Sequence, residues 1–239
     1  MLEIYSQIFD TIEVDSSFYA IPPSSTLENW LNKTPENFIF SLKMPQAITH
    51  ERFLHSDSFE ILEEFCERIR LLREKLGLVL IQTPPNLEAS KTNAQNLRKF
   101  LAQLPKDIRF SIEFRNREWM VEWTFQELKK NQVSLCLVEG EWIPRDLMFQ
   151  TIAKPTADFT YVRFMGERDL QHFDKVVRPQ FSNLQMWKEE LDKLQTAENF
   201  IYFSNFYEGH APASANSLKK LFAQEIIQPD NLETQKSLF

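Results

Sequence analysis

Carboxylates and cations recur at alternate positions near the same end of several short apolar runs. Glu13 and Asp15 alternate with Ile12 and Val14, Ser41 and Lys43 with Phe40 and Leu42, and Ser111, Glu113 and Arg115 with Phe110, Ile112 and Phe114. Gln82 closes another run, Tyr161 and Arg163 line a further one, and Glu139 follows one more. A period of two puts such residues on one face of a strand. Gathered in one place, they would be costly to bury unless they paired with each other or with a ligand. Two carboxylates held apart by cations can take different acid constants and divide acid and base work. Glu13 and Glu113 are therefore candidates for proton transfer with Lys43 as their catalytic companion, and Arg115 and Arg163 are candidates for binding negative charge. The same pattern also fits a structural ion-pair network.

Other segments offer weaker signals. His50, in Lys43–His50, reads as an acid or base at the same end of the strands or as a loop hydrogen-bonder, whereas His55 and His172 read as surface residues. The turn Glu208-Gly209-His210-Ala211-Pro212 reads as the start of a helix, where backbone N–H groups could take an anion or where the chain simply connects two elements. Four His without clustered spacing supply no multi-zinc site, so no cofactor is expected. A single divalent ion on Glu13, Asp15 and Glu113 stays open. With four Gly there is no P-loop, dinucleotide fingerprint or serine-hydrolase elbow.

The elements that must carry these residues are legible from the same rows. Asp10–Val14, Phe38–Met44, Leu78–Thr83, Ile108–Arg115, Val133–Val138, Phe159–Phe164 and Asn199–Ser204 read as buried strands. Between them, Ser25–Glu28, Asp57–Glu60, Thr92–Gln95, Thr124–Glu127 and Ser182–Gln185 match the capping-box spacing of helix starts. Strands alternating with helices imply right-handed crossovers and a parallel sheet. The fold class expected is an α/β, TIM-type (β/α) barrel of about seven strand–helix units, one short of the usual eight. Met1–Ile8 reads as a helix feeding the first strand, so an initial strand is expected to be lacking. One barrel domain over 1–224 and a polar tail over 225–239 are expected.

Composition bounds the rest. The 239 residues are 43% hydrophobic with 21 Phe and 5 Trp, enough for a large core. The net charge of −7 disfavours nucleic acid as a partner, since phosphate backbones are bound through basic stripes. No apolar run reaches the roughly 20 residues of a membrane span and no basic-then-apolar leader opens the chain, so a cytoplasmic location is expected. Cys66 and Cys136 are far apart and outside any C-x-x-C pair, and are expected to be buried as small hydrophobes.

Several segments resemble the domain-of-unknown-function 72 family, also called YecE-like. They are Thr11–Tyr19, Lys43–His50, Gln82–Pro85, Ser111–Arg115 with Trp119, Tyr161–Gly166, and Tyr202–Asn205 followed by Gly209–Pro212. The resemblance spans nearly the whole chain in family order. It implies a barrel similar to the xylose isomerase and endonuclease IV class, with no established reaction. The positions it carries over are Glu13, Ser17, Tyr19, Lys43, Thr49, His50, Gln82, Pro85, Glu113, Arg115, Arg163, Asn205 and Gly209. The chain departs from the family pattern in lacking a Gly-Thr-Ser-Gly-like first strand, and in Val14-Asp15-Ser16 and Phe203-Ser204-Asn205.

The resulting expectation is an enzyme, or a relative of one, acting on a small anionic or sugar-like ligand, with Tyr19, His50, Gln82, Arg115, Arg163, Asn205, Gly209 and His210 binding it. A nucleic-acid-binding or endonuclease IV-like protein and a non-catalytic truncated barrel are the rival readings. The oligomeric state is not legible.

Overall fold

The apolar alternation of the strand runs is satisfied by two different surroundings. In the computed structural model, which describes residues 2–227, seven parallel strands form a nearly closed barrel with helices outside it. The strands are β1 (Thr11–Val14), β2 (Ile39–Lys43), β3 (Leu76–Gln82), β4 (Phe110–Glu113), β5 (Val133–Gly140), β6 (Phe159–Gly166) and β7 (Glu198–Phe203), paired in chain order. Short helices α1 (Leu2–Tyr5) and α2 (Ser16–Tyr19) flank β1. The crossovers run through α3 (Ser24–Asn32), α4 (Phe59–Ile69), α5 (Lys91–Gln103), α6 (Glu122–Asn131), α7 (Arg145–Ile152) and α8 (Phe181–Leu191). After β7 come α9 (Asn205–Glu208) and α10 (Ala211–Leu221). Residues 224–227 follow without regular structure, and the rest of the expected tail, 228–239, lies outside the described residues.

Each strand turns one set of side chains to the helices and the other to the barrel interior. Phe40 stacks on Trp30 of α3 at 5.4 Å, and Phe164 meets Trp187 of α8 at 5.3 Å. The interior is filled by small and large residues in alternation, as a closed barrel requires. Tyr161 and Tyr202 lie 5.1 Å apart, and Ser41, Ser111 and Cys136 are fully buried. Cys66 and Cys136 are free and buried, as expected. At the N-terminal end of the strands Arg109 sits between Phe159 and Phe200, at 5.5 and 5.1 Å, and pairs with Glu198.

The helix starts differ from the expected capping boxes. α3 begins at Ser24 after Pro23, α6 at Glu122 after Val121, and neither has a side-chain cap. Asp57 falls in a 3₁₀ turn, Ser56–Ser58, ahead of α4. α5 is capped by Ser90 rather than Thr92, the Ser90 hydroxyl accepting the Asn93 N–H at 3.2 Å. Ahead of α8, the Gln180 N–H is taken at 2.7 Å by the carboxylate of Glu208 from a distant turn, so Ser182 is not the cap. The expected spacings located the helices, but tertiary partners and Pro23 set where they begin.

β1 and β7 are the edge strands of the sheet, and the seam between them lies where an eighth strand closes a barrel of this type. A cavity of about 910 Å³ fills it, from Tyr5 and Phe9 at one end to Asp15 and Asn205 at the other. Inside the seam the Tyr202 hydroxyl bridges Thr11 Oγ1 at 2.5 Å and Ser41 Oγ at 2.8 Å. Burial pushes the Tyr202 hydroxyl out of the titrating range, so it remains a neutral donor and acceptor. Tyr202→Phe should lower stability by about 1 kcal/mol, a fall in Tm of roughly 2–4 °C for a chain of this size. Thermal unfolding followed by circular dichroism measures it, and an unchanged Tm would deny the bridge any structural weight.

Candidate active site at the barrel mouth

The charged residues that close the strands meet over the C-terminal end of the barrel. Arg163 comes inward from β6 and its side chain is 3% exposed. One terminal nitrogen donates to Glu13 Oε1 of β1 at 2.6 Å, the other to Glu113 Oε2 of β4. The Tyr161 hydroxyl donates to the second Glu13 oxygen. Gln82 of β3 donates to both oxygens of Glu113 at 3.0 Å, and Arg115 Nε donates to Glu113 Oε1 at 3.0 Å. Four strands, β1, β3, β4 and β6, are thus joined by one polar network, and Tyr161 packs on Tyr202 of β7.

The electrostatics follow from that enclosure. Burial by itself would raise the pKa of Glu113, but the guanidinium groups of Arg163 and Arg115, with the Gln82 amide, more than offset it and leave the carboxyl at about 2. Burial disfavours the charged form of Arg163, and the carboxylates of Glu13 and Glu113 reverse this, holding its pKa well above the ordinary value. Burial and the charge on Glu13 keep the Tyr161 hydroxyl protonated. Glu113 and Arg163 are therefore held ionised as an anchor, although Arg163 Nε is buried without a partner.

A more accessible group of residues sits above the anchor. Lys43 ends β2, with its ammonium 3.2 Å from Asp15 and 4.9 Å from the centre of the Phe18 ring. The Asp15 side chain is 72% exposed, so this pair is a weak one. Ser17, fully buried in α2, accepts the Lys43 N–H at 3.0 Å and donates to the Lys43 carbonyl at 2.9 Å, which fixes the end of β2 against β1. Arg115 gives its Nε to Glu113, and no acceptor among the described residues takes its terminal nitrogens. The His50 ring stands edge-on to Phe18 at 4.9 Å. Burial first, then the positive charges of Arg115 and Lys43, depress His50 to about 4, so it is neutral near neutrality. Tyr19 lies exposed at the rim, edge-on to Phe18 at 5.2 Å.

The structure thus brings together Glu13, Lys43, His50, Gln82, Glu113, Arg115 and Arg163, with Tyr19 on the rim. Asn205 lines the seam cavity with Glu13, Asp15 and Arg163, whereas Gly209 and His210 do not join them. Asn205 Oδ1 accepts the Ala211 N–H at 2.9 Å and His210 Nδ1 accepts the Ala213 N–H at 3.3 Å, so the α10 start answers its own amides and is no free anion site. Gly209, at φ 105°, turns the chain where Lys175 and Val177 pack close. Glu139 is also apart, accepting from Arg145, Asn183 and Trp187. The carboxylates weighed as a divalent-ion site are split between Arg163 and Lys43, and among the described residues no three His, Cys, Asp or Glu converge as a ligand set. Phe18, the wall shared by Lys43 and His50, escaped the sequence reading because an aromatic beside a strand end reads as core.

Comparison with known proteins follows from this geometry. The model of the family described as "Protein of unknown function DUF72" matches residues 1–237. UPF0759 protein YunF of Bacillus subtilis strain 168 is 30% identical over 245 residues, covering 92% of this chain and 86% of its own. A DUF72 family protein of Enterococcus faecalis V583 superposes with a TM-score of 0.79 at 23% identity, over 94% of each chain. Another, of Thermotoga maritima MSB8, superposes with a TM-score of 0.74 at 25% identity, over 90% of this chain and 85% of its own.

Glu113 is the member whose removal should cost most. Its folded-state pKa of about 2 lies below the ordinary 4.5, so the stability it contributes is present above pH 4.5 and is lost as pH falls toward 2. Glu113→Gln leaves Arg163 and Arg115 with less compensation and should destabilise by about 3–5 kcal/mol at pH 7. Urea unfolding between pH 2 and 7 checks both points: the variant should lose much of the acid-side slope, and equal slopes in the two proteins would contradict the assignment.

Proposed function

Since the chain belongs to the DUF72 family, whose description names no reaction, we propose from the geometry of the mouth that it is an enzyme acting on a small anionic or sugar-like ligand bound over the C-terminal ends of the strands. The observation that carries this reading is the pairing of an immobile ionised floor with cations left available above it. Glu113 and Arg163 spend all or most of their charge on each other and on Glu13. Arg115 keeps its terminal nitrogens for a ligand, and the ion pair that holds Lys43 among the described residues is with the exposed Asp15. Preorganised donors of this kind stabilise negative charge without reorganising as it develops.

In this reading Lys43 and Arg115 bind the anionic group, displacing Asp15. Glu113 orients Arg115, and Arg163 holds Glu13 within reach of the seam cavity, where it can accept a hydroxyl hydrogen of the ligand. Tyr19 offers a flat rim surface of the sort that packs on sugar rings. A cytoplasmic location belongs to the proposal, supported by the two free cysteines. Among the described residues no helix is long and apolar enough to cross a membrane.

Thermal unfolding in the presence of inorganic phosphate, sulfate, sugar phosphates, neutral sugars, divalent metals and short DNA tests the reading. An anion at a hundred times its Kd should stabilise the protein by about 2.7 kcal/mol. Lys43→Met and Arg115→Met should each weaken that response at least tenfold, while Lys154→Met, on an exposed pair with Glu122, should leave it intact. A response confined to DNA and fading with salt would favour nucleic-acid binding instead, and no response to any anion would overturn the proposal.

A further inference from the structure

The backbone that presents His50 is unusual along its whole length. Ala47–Glu51 form a single π-helical turn directly after β2. Such turns are rare and concentrate at functional sites. Phe53 and Leu54 follow with φ of 48° and 62°, two successive left-handed residues, neither of them glycine. Non-glycine side chains avoid this conformation, and it persists where the surroundings enforce it. Here Leu54 is buried and its N–H closes the loop on the Ile48 carbonyl at 3.0 Å. The product of this costly loop is the position of one imidazole.

That position is chemically specific. His50 and the Lys43 ammonium both rest on the Phe18 ring, each 4.9 Å from its centre. His50 Nδ1 lies 2.8 Å from the Thr49 hydroxyl, which itself donates to the Pro45 carbonyl at 3.4 Å. When the hydroxyl hydrogen is directed to that carbonyl, Nδ1 carries the ring hydrogen and Nε2 keeps its lone pair. No hydrogen bond among the described residues reaches Nε2. The charged groups acting on the ring are Lys43 of β2, Glu113 of β4 and Arg115 just after it, with Asp15 bound to Lys43 and Glu51 and Arg52 beside His50 in the chain.

We propose that His50 Nε2 is the proton acceptor of this mouth, and that the ligand is a small acid whose anionic group lies on Lys43 and Arg115 with an O–H or acidic C–H facing the imidazole. This deepens the anion-binding reading above and rests on it. In the step, the O–H or C–H bond breaks, the proton goes to Nε2, and the electron pair stays on the substrate beside Lys43 and Arg115. Return of the proton from the imidazolium restores the site, and no redox partner is needed. Burial depresses the free imidazole most, and the two cations that lower it further, Arg115 and Lys43, are the ones the anion neutralises. Seating the anion therefore strengthens the base at the moment it is used.

Sulfate is a suitable probe, because it binds as an anion and does not itself titrate near neutrality. The His50 Cε1 resonance, identified by its loss in His50→Gln, is titrated with saturating sulfate and with chloride at equal ionic strength. The expected midpoint is about 4 in chloride and at least one pH unit higher in sulfate, equivalent to tenfold tighter sulfate binding by the protonated form. In the Lys43→Met/Arg115→Met double variant the midpoint should no longer respond to sulfate. Lys43→Met alone, whose partner Asp15 is exposed, serves if the double variant unfolds. Sulfate bound calorimetrically in wild type with an unmoved midpoint overturns the His50 role and leaves the anion site standing. A midpoint that still responds in the variants overturns it too, because the anion then sits elsewhere. Absence of sulfate binding by calorimetry overturns both.

Discussion

A guanidinium enclosed by protein must find anions or forfeit its charge, and Arg163 cannot forfeit its charge. The barrel answers by bringing Glu13 from β1 and Glu113 from β4 to either side of it. Each carboxylate then has oxygens left over, which Tyr161, Gln82 and Arg115 satisfy. The interior ends of four strands are spaced to make these contacts at once. Removing one partner would strand a charge in a place where water cannot reach it, so the cluster behaves as a unit.

The consequence for chemistry is a division of labour by burial. Glu113, 2% exposed, has every lone-pair direction engaged and is held ionised, which suits it to position cations rather than to exchange protons. Lys43, Arg115 and His50 stand one layer higher, and what binds them is weaker or absent. Three carboxylates, Glu13, Asp15 and Glu113, balance three cations, Lys43, Arg115 and Arg163. Of the three carboxylates Asp15 holds its cation least firmly, because water already solvates it.

The seam between β1 and β7 sets this barrel apart from a fully closed one. Its inner surface is bridged by the Tyr202 hydroxyl, a side-chain contact where backbone pairing would otherwise run. The cavity along it reaches Glu13 and Arg163, so the floor of the mouth is approached from the side as well as from above.

The sequence alone determined the strands, their order and the face each residue takes, because a period of two is imposed by the pleat and needs no tertiary partner. It also determined that Glu13, Lys43, Gln82, Glu113, Arg115 and Arg163 end their strands together, since parallel strands place like ends on one side. Only the tertiary structure decided which of these residues bind each other and which stay available. Pairing across a barrel joins β6 to β1 and β4, residues 150 and 50 positions apart, and no local pattern encodes such distances. The same holds for the helix starts, where Glu208 supplies an acceptor to Gln180 from 28 residues away. Asn205 and His210 accept amides at the start of α10, because a helix start satisfies its N–H groups with whatever the fold brings nearest. His50 lay among the candidates by type, but its place beside Lys43 comes from a π-turn and two left-handed residues whose cost only the packed core can enforce.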